Sequence, residues 1–260
     1  MAESRSTSRA KKLHPFAETR RPLACLIFLA PIVLAHEIGA VLYLSGDSGE
    51  VAQTIQARRL IADFIELFGV VGLYAPGLVI LAVLLIQHIV SRQRWRVAPA
   101  TIGVMTLESI LWTAPLLVLA AVLLSMKAAA QTAGIEAEAV ELASLPLGAR
   151  FTIALGAGLY EEALFRFALV TLAHLILADL LRVRSDIAAI ISVVLAAVVF
   201  TGYHNVDAES GAAAARVSFL FLAGVFLGAL YLLRGLGVAV GAHAMYDIVV
   251  LVIMPELNSS

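Results

Sequence analysis

The chain has 260 residues, of which 61% are hydrophobic and 14% charged, and its formal net charge is -1. Soluble globular proteins are roughly 45–50% apolar and about 25% charged, so this composition argues against an ordinary soluble domain and favours a membrane protein. No basic stripe rich in aromatic residues appears, so no nucleic-acid partner is expected. The single cysteine, Cys25, excludes an intrachain disulfide and a zinc–thiolate site.

The polar and basic residues 1–21 are interpreted as a cytoplasmic tail, followed by a single membrane domain over residues 22–260. A spanning helix needs about 20 apolar residues. The first apolar run is too long for a signal-peptide core and lacks a convincing cleavage site, so we expect it to be retained. The fold class predicted is all-α, a polytopic transmembrane helix bundle with about seven spans. The predicted spans are Pro22–Leu44, Phe64–Val90, Gly103–Met126, Phe151–Ala178, Ile187–Tyr203, Ala214–Leu233 and Leu236–Met254.

The distribution of basic residues predicts the orientation, because Lys and Arg accumulate on the cytoplasmic side of a membrane. With a cytoplasmic N-terminus, the inside segments hold twelve Lys and Arg and the outside segments hold five. We therefore expect a multi-pass protein of the cell membrane whose N-terminus is cytoplasmic. Membrane lipid is an expected partner.

Three ionisable residues interrupt the fourth predicted span: Glu161, Glu162 and Arg166. A charged residue at a helix centre costs roughly 2.5–3.5 kcal/mol on insertion scales, and such groups usually face an interior cavity. Glu162 and Arg166 are four apart and can form an ion pair. Glu161 lies about 100° round the helix and can face a cavity, where it suits proton transfer to and from a water molecule. The alternative is a structural Glu–Arg clamp.

The fifth and seventh predicted spans add two histidines. His204 is four residues after Phe200, whose ring can pack over the imidazole, although a histidine at a helix end is commonly interfacial. His243 and Asp247 share one helical face, which suits a metal ligand, a proton shuttle or an oxyanion donor. A buried hydrogen-bonded pair is the other interpretation.

Together with Gly224 and Gly228 of the sixth span, which form a face that lets another helix approach closely, these segments resemble the CPBP family. This family contains the type II CAAX prenyl endopeptidases and the bacterial Abi or bacteriocin-processing proteins. Its pattern is EExxxR, FxxxH, FxxGxxxG and HxxxN or HxxxD on successive helices. The chain supplies, in that order, Glu161-Glu162-xxx-Arg166, Phe200-xxx-His204, Phe221-xx-Gly224-xxx-Gly228 and His243-xxx-Asp247.

The resemblance covers residues 151–254, and the first three spans carry no family signature. One departure is Phe167, which follows Arg166 where the family usually has glycine. This changes the packing beside the site and removes none of the expected chemical groups.

The resemblance implies hydrolysis of a peptide bond by an activated water. In a metal-free version, Glu161 and His204 polarise the water, His243 and Asp247 stabilise the oxyanion, and a Glu–Arg pair holds the helix in register. That pair is Glu162 and Arg166. In a metal-dependent version, Glu161, His204 and His243 hold a divalent ion such as zinc, which lowers the pKa of its water. Both versions are open at this point.

CAAX processing requires a prenylated C-terminal motif, and nothing in the sequence shows that the host makes one. The expected substrate is therefore the broader class of membrane-associated or lipidated peptides. A catalytically silent scaffold or bacteriocin-immunity protein of the same fold is the main alternative. A proton-coupled transporter is disfavoured, because no inverted repeat is found. His36-Glu37 fails as a zincin motif, since Ala40 stands where the second histidine is needed. His88 and His174 are interpreted as packed or interfacial.

Overall fold

The computed structural model describes residues 18–44, 55–70, 72, 74–125, 144–204, 206 and 213–259. Within these ranges the regular structure is helical. In chain order the helices are α1 (Pro22–Leu44), α2 (Gln56–Glu66), α3 (Ala75–Ser91), α4 (Pro99–Ser125), α5 (Leu147–Leu180), α6 (Ser185–Tyr203), α7 (Ala213–Arg234) and α8 (Leu236–Leu257).

Six of these described helices are long and apolar enough to cross a membrane, namely α1, α4, α5, α6, α7 and α8. Helix α3 is a shorter apolar helix of 17 residues. The prediction of a polytopic helical bundle with about seven spans is therefore confirmed. Most of the predicted basic tail, residues 1–17, lies outside the described residues, so the proposed division into tail and membrane domain stays a prediction.

The predicted span Phe64–Val90 is wrong in its first third, where the chain turns between two helices. Helix α2 ends at Glu66, Gly69 then adopts a φ of 77°, and α3 begins at Ala75 with a proline in its first turn. Positive φ favours glycine, and proline is well tolerated at a helix start. The turn itself contains apolar residues, Leu67 and Phe68, which are exposed. The apolar run therefore continues through it. Apolar composition alone therefore hides the break.

Helix α5 carries the first of the charged motifs, and its backbone changes at that point. It is α-helical as far as Glu161 and π-helical over Glu162–Val170, with a second π-helical segment at Leu175–Leu180. Wide turns of this kind occur frequently at functional sites. The change of helical pitch begins between the two adjacent glutamates.

Close helix contacts bring the four motifs together. A Cβ atom added at Gly158 of α5 would lie 2.6 Å from the backbone nitrogen of Ala244 in α8. On α7, a Cβ at Gly224 would lie 3.0 Å from that of Ala197 in α6, and one at Gly228 would lie 2.8 Å from a methyl group of the α6 residue Val193. The glycine face predicted on the sixth span is thus a close contact with the fifth.

Helix α8 lies at the centre of the bundle. Every residue from Leu236 to Ala244 is buried, and the helix packs against α4, α5 and α7. The Thr113 hydroxyl of α4 donates a hydrogen bond to the carbonyl of Ala242 at 3.1 Å. His243, the next residue, is consequently enclosed by protein on several sides.

Candidate active site

Four ionisable side chains are buried together where α5 meets α8. Their exposed fractions are 7% for Glu161, 0% for Glu162, 1% for Arg166 and 7% for His243. Buried charges are costly unless they are paired and hydrogen-bonded, so the partners of each group define what the site can do.

The ion pair predicted between Glu162 and Arg166 is confirmed. Nη1 of Arg166 lies 2.9 Å from Oε1 of Glu162. The guanidinium also lies 4.4 Å from the centre of the Phe200 ring, and its Nη2 donates to the carbonyl oxygen of Gly224 at 3.4 Å. Arg166 thus connects α5 with α6 and α7, and its charge is compensated inside the bundle.

His243 is held by the same carboxylate. Its Nδ1 lies 2.8 Å from Oε1 of Glu162, and because an ionised carboxylate only accepts hydrogen bonds, Nδ1–H is the donor. Its Nε2 faces Asp247, with 3.5 Å to Oδ2, and Glu161, with 4.0 Å to Oε2. Sequence reasoning gave Glu162 only one partner, Arg166, and missed His243, since no helical spacing relates residues on different helices.

Glu161 faces both imidazoles with one oxygen. Its Oε2 lies 3.9 Å from Nε2 of His204 and 4.0 Å from Nε2 of His243. These separations exceed a direct hydrogen bond, and polar contacts longer than about 3.5 Å raise the question of a bridging water. The arrangement therefore suits a small polar molecule held between a carboxylate and two rings.

His204 follows the last residue of α6 and is oriented by that helix. Its Nδ1 donates to the carbonyl oxygen of Phe200 at 2.8 Å, so the neutral ring leaves Nε2 free of hydrogen and directed towards Glu161. The ring packs against Phe200 and Tyr203, with centroids 4.6 and 5.0 Å apart, as predicted for Phe200. Burial lowers the pKa of the His204 imidazole, which favours the neutral form.

The six predicted site residues form one connected cluster contributed by α5, α8 and the end of α6. They are Glu161, Glu162, Arg166, His204, His243 and Asp247. The other two histidines considered in the sequence lie elsewhere: His88 is buried beside Trp95, and His174 lies 3.2 Å from the hydroxyl of Ser185.

A protein-family model described as "Type II CAAX prenyl endopeptidase Rce1-like" matches residues 143–249. The match contains all four motifs and helices α5 to α7 in full. This part of the chain, about two fifths of its length, is thus similar to the CPBP family of intramembrane proteases. The match supports a CAAX-type protease, and the six apolar helices indicate a multi-pass membrane protein. No curated protein and no solved structure matches the chain significantly.

The metal-dependent version of the CPBP site requires Glu161, His204 and His243 as ligands. Within the described ranges, no group of three or more His, Cys, Asp or Glu residues is placed so that it could hold a metal ion. In this arrangement the three residues do not fit a metal ion. The metal-dependent version stays a hypothesis for experiment.

A second buried polar cluster joins helices α1 and α2, which lie outside the family match, to helix α5. Glu37 of α1 accepts hydrogen bonds from the hydroxyl of Tyr160 and from Nη2 of Arg58. His36 lies 3.0 Å from the carbonyl oxygen of Thr152. From the sequence, His36-Glu37 was considered only as an incomplete zincin motif. The available signal was a carboxylate inside an apolar span, which requires a partner.

Proposed function

We propose that this protein is an intramembrane endopeptidase that hydrolyses a peptide bond of a membrane-associated or lipidated peptide with an activated water. The observation that carries the proposal is the position of Glu161, whose Oε2 faces Nε2 of His204 at 3.9 Å and Nε2 of His243 at 4.0 Å. The match of residues 143–249 to the family model supports the same reaction class.

Glu161 and His204 activate the water in this proposal. Both present acceptor atoms to the space between them, so a water there can donate one hydrogen to each. Glu161 takes a proton from the water as its oxygen attacks the carbonyl carbon of the substrate. The carbonyl π electrons move to oxygen and form a tetrahedral oxyanion. When the C–N bond breaks, Glu161 returns the proton to the leaving nitrogen.

His243 stabilises the oxyanion. Its Nδ1–H is engaged by Glu162, so it donates from Nε2 only when the ring is doubly protonated. Two carboxylates, Glu162 and Asp247, lie within 3.5 Å of the ring and favour that charged form. A preorganised donor directed at developing negative charge contributes strongly to catalysis. Arg166 holds Glu162 in place through their ion pair.

The proposed setting is the cell membrane, with the N-terminus on the cytoplasmic side. The excess of Lys and Arg in the segments on that side supports this orientation.

The test compares wild type with Glu161→Gln, which preserves the side-chain shape, using purified protein in lipid vesicles and a library of membrane-anchored and lipidated peptides. Glu66→Gln is the matched control, because Glu66 is an exposed glutamate at the end of α2. We expect cleavage by wild type and control and none by Glu161→Gln. If all three proteins leave the library equally intact, the catalytically silent scaffold or immunity role replaces the peptidase.

The same assay with a strong chelator addresses the metal question. Full activity in the chelator supports the metal-free steps above. Activity that is lost in the chelator and restored by zinc instead supports the metal-dependent version.

A further inference from the structure

Helix α1 contributes a buried carboxylate that the proposed mechanism does not use. Glu37 is 6% exposed, lies in an apolar span, and accepts a hydrogen bond from Tyr160, which is fully buried. Nη2 of Arg58 lies 3.4 Å from its other oxygen, Oε2. A carboxylate at this depth is stabilised only by such partners, so the contacts of Glu37 are specific.

Three helices besides α2 converge at this carboxylate. A Cβ atom added at Gly77 of α3 would lie 2.8 Å from Oε1 of Glu37 and 3.2 Å from the hydroxyl oxygen of Tyr160. The guanidinium of Arg58 lies 5.9 Å from the centre of the Tyr160 ring. The cluster therefore ties α1, α2 and α3 to α5, the helix that carries the catalytic glutamate.

Tyr160 is the residue immediately before Glu161. Successive residues of a helix point about 100° apart, so α5 has polar contacts with Glu37 in one direction and with His204 and His243 in another. Rotation of α5 about its axis breaks at least one of these sets. The Tyr160 hydroxyl is thus placed to fix the direction in which Glu161 points.

We propose that Glu37 is a positioning residue for the active site and acts through the Tyr160 hydroxyl on the orientation of Glu161. This inference rests on the proposed catalytic role of Glu161. It assigns a function in the reaction to the first three helices of the bundle, which lie outside the family match.

The competing explanation is a structural ion pair, and the chain offers a matched control for it. Glu108 of α4 is 9% exposed and pairs with Arg234 of α7, with 2.7 Å between Oε1 and Nη2. Glu108→Leu and Glu37→Leu each remove a buried carboxylate from an arginine. Of these two glutamates, only Glu37 is hydrogen-bonded to Tyr160, the residue next to Glu161.

The kinetic test measures kcat, KM and the unfolding temperature for Tyr160→Phe, Glu37→Leu, Glu37→Gln and Glu108→Leu. We expect kcat to fall at least about tenfold in Tyr160→Phe and Glu37→Leu, since small misplacements of reacting groups have effects of this size, with KM little changed. Glu37→Gln retains an oxygen acceptor and should keep most of the activity. The double variant Tyr160→Phe/Glu37→Leu should be no slower than Glu37→Leu, because the two changes remove the same hydrogen bond.

Glu108→Leu should lower the unfolding temperature and leave kcat per folded molecule unchanged. Wild-type kcat in Tyr160→Phe overturns the proposal, as does an equal fall of kcat in Glu108→Leu.

A second measurement does not depend on activity. Cys25 is the only cysteine, so Cys25→Ala/Glu161→Cys carries one thiol at the site, and its rate of reaction with a small methanethiosulfonate reports the orientation of position 161. We expect Tyr160→Phe to change this rate several-fold and Glu108→Leu to leave it unaltered. An unaltered rate in Tyr160→Phe contradicts the positioning role. If the rate changes but wild type cleaves no peptide, the positioning role stands and the proposed peptidase fails.

Discussion

Nδ1 of His243 lies 2.8 Å from Oε1 of Glu162, although the two residues are 81 positions apart in the chain. The contact makes Glu162 the common partner of a histidine and an arginine, so one carboxylate compensates the cation of α5 and orients the ring of α8. The spacing in the sequence indicated only that Glu162 pairs with Arg166. Through His243, Glu162 also belongs to the proposed oxyanion site.

The shared carboxylate predicts a large loss of stability on truncation. Glu162→Ala leaves Arg166 and His243 without their partner, and breaking a buried pair typically costs about 3–5 kcal/mol. We expect a markedly lower unfolding temperature in lipid and no cleavage. The double variant Glu162→Ala/Arg166→Met removes the stranded charge and should recover stability without activity. Equal stability of the single variant and wild type would contradict the arrangement.

His204 lies at the end of α6 with its side chain 23% exposed, so its loss should affect chemistry more than folding. His204→Ala removes the atom that faces Glu161, and we expect cleavage to fall below detection while the unfolding temperature changes little. His174→Ala is the control, because that ring bonds Ser185 away from the site. Peptide cleavage and thermal unfolding are measured on all three proteins. Retained cleavage in His204→Ala removes this residue from the mechanism.

Asp247 lies 3.5 Å from Nε2 of His243 and acts on the substrate through that ring. Asp247→Ala should weaken cleavage without abolishing it, because Glu162 still holds the other ring nitrogen. Asp247→Asn should retain more activity than the alanine variant, since the family pattern accepts either residue at this position. Steady-state kinetics on one cleaved peptide test this order, and a fully active Asp247→Ala contradicts it.

The contact between α5 and α8 predicts a steric effect at Gly158. A methyl group there meets the backbone of Ala244 at 2.6 Å, and backbone atoms cannot move aside as the end of a flexible side chain can. Gly158→Ala should therefore separate Glu162 from His243 and lower both activity and the unfolding temperature. Gly202→Ala is the matched control, since a Cβ at that α6 position meets no atom within 4 Å. Identical behaviour of the two variants would show that the contact is not needed.

Relationships within one helix could be predicted from the sequence, because helical geometry relates residues four apart. Three contacts follow that spacing: the Glu162–Arg166 ion pair, the edge-to-face packing of Phe200 against His204, and the approach of Asp247 to His243. The convergence of the motifs on one site was implied by the family resemblance, since no spacing rule connects separate helices.

Two features could not be predicted from the sequence, for different reasons. The predicted second span ran through the turn after α2, because an apolar surface turn has the composition of a membrane segment. The Glu37 cluster joins residues from α1, α2 and α5, and Arg58 was counted as an ordinary basic residue of a connecting segment. Only the packed bundle brings these residues together.

The ion pair inside α5 also bears on how the protein is made. Synthesis runs from the N-terminus, so α5 is made before His243 of α8. Because Glu162 and Arg166 are one helical turn apart, they can neutralise each other within the nascent span, without any later helix. The two rings that Glu161 faces lie after α6 and on α8, so these contacts of Glu161 form only once both segments have been synthesised.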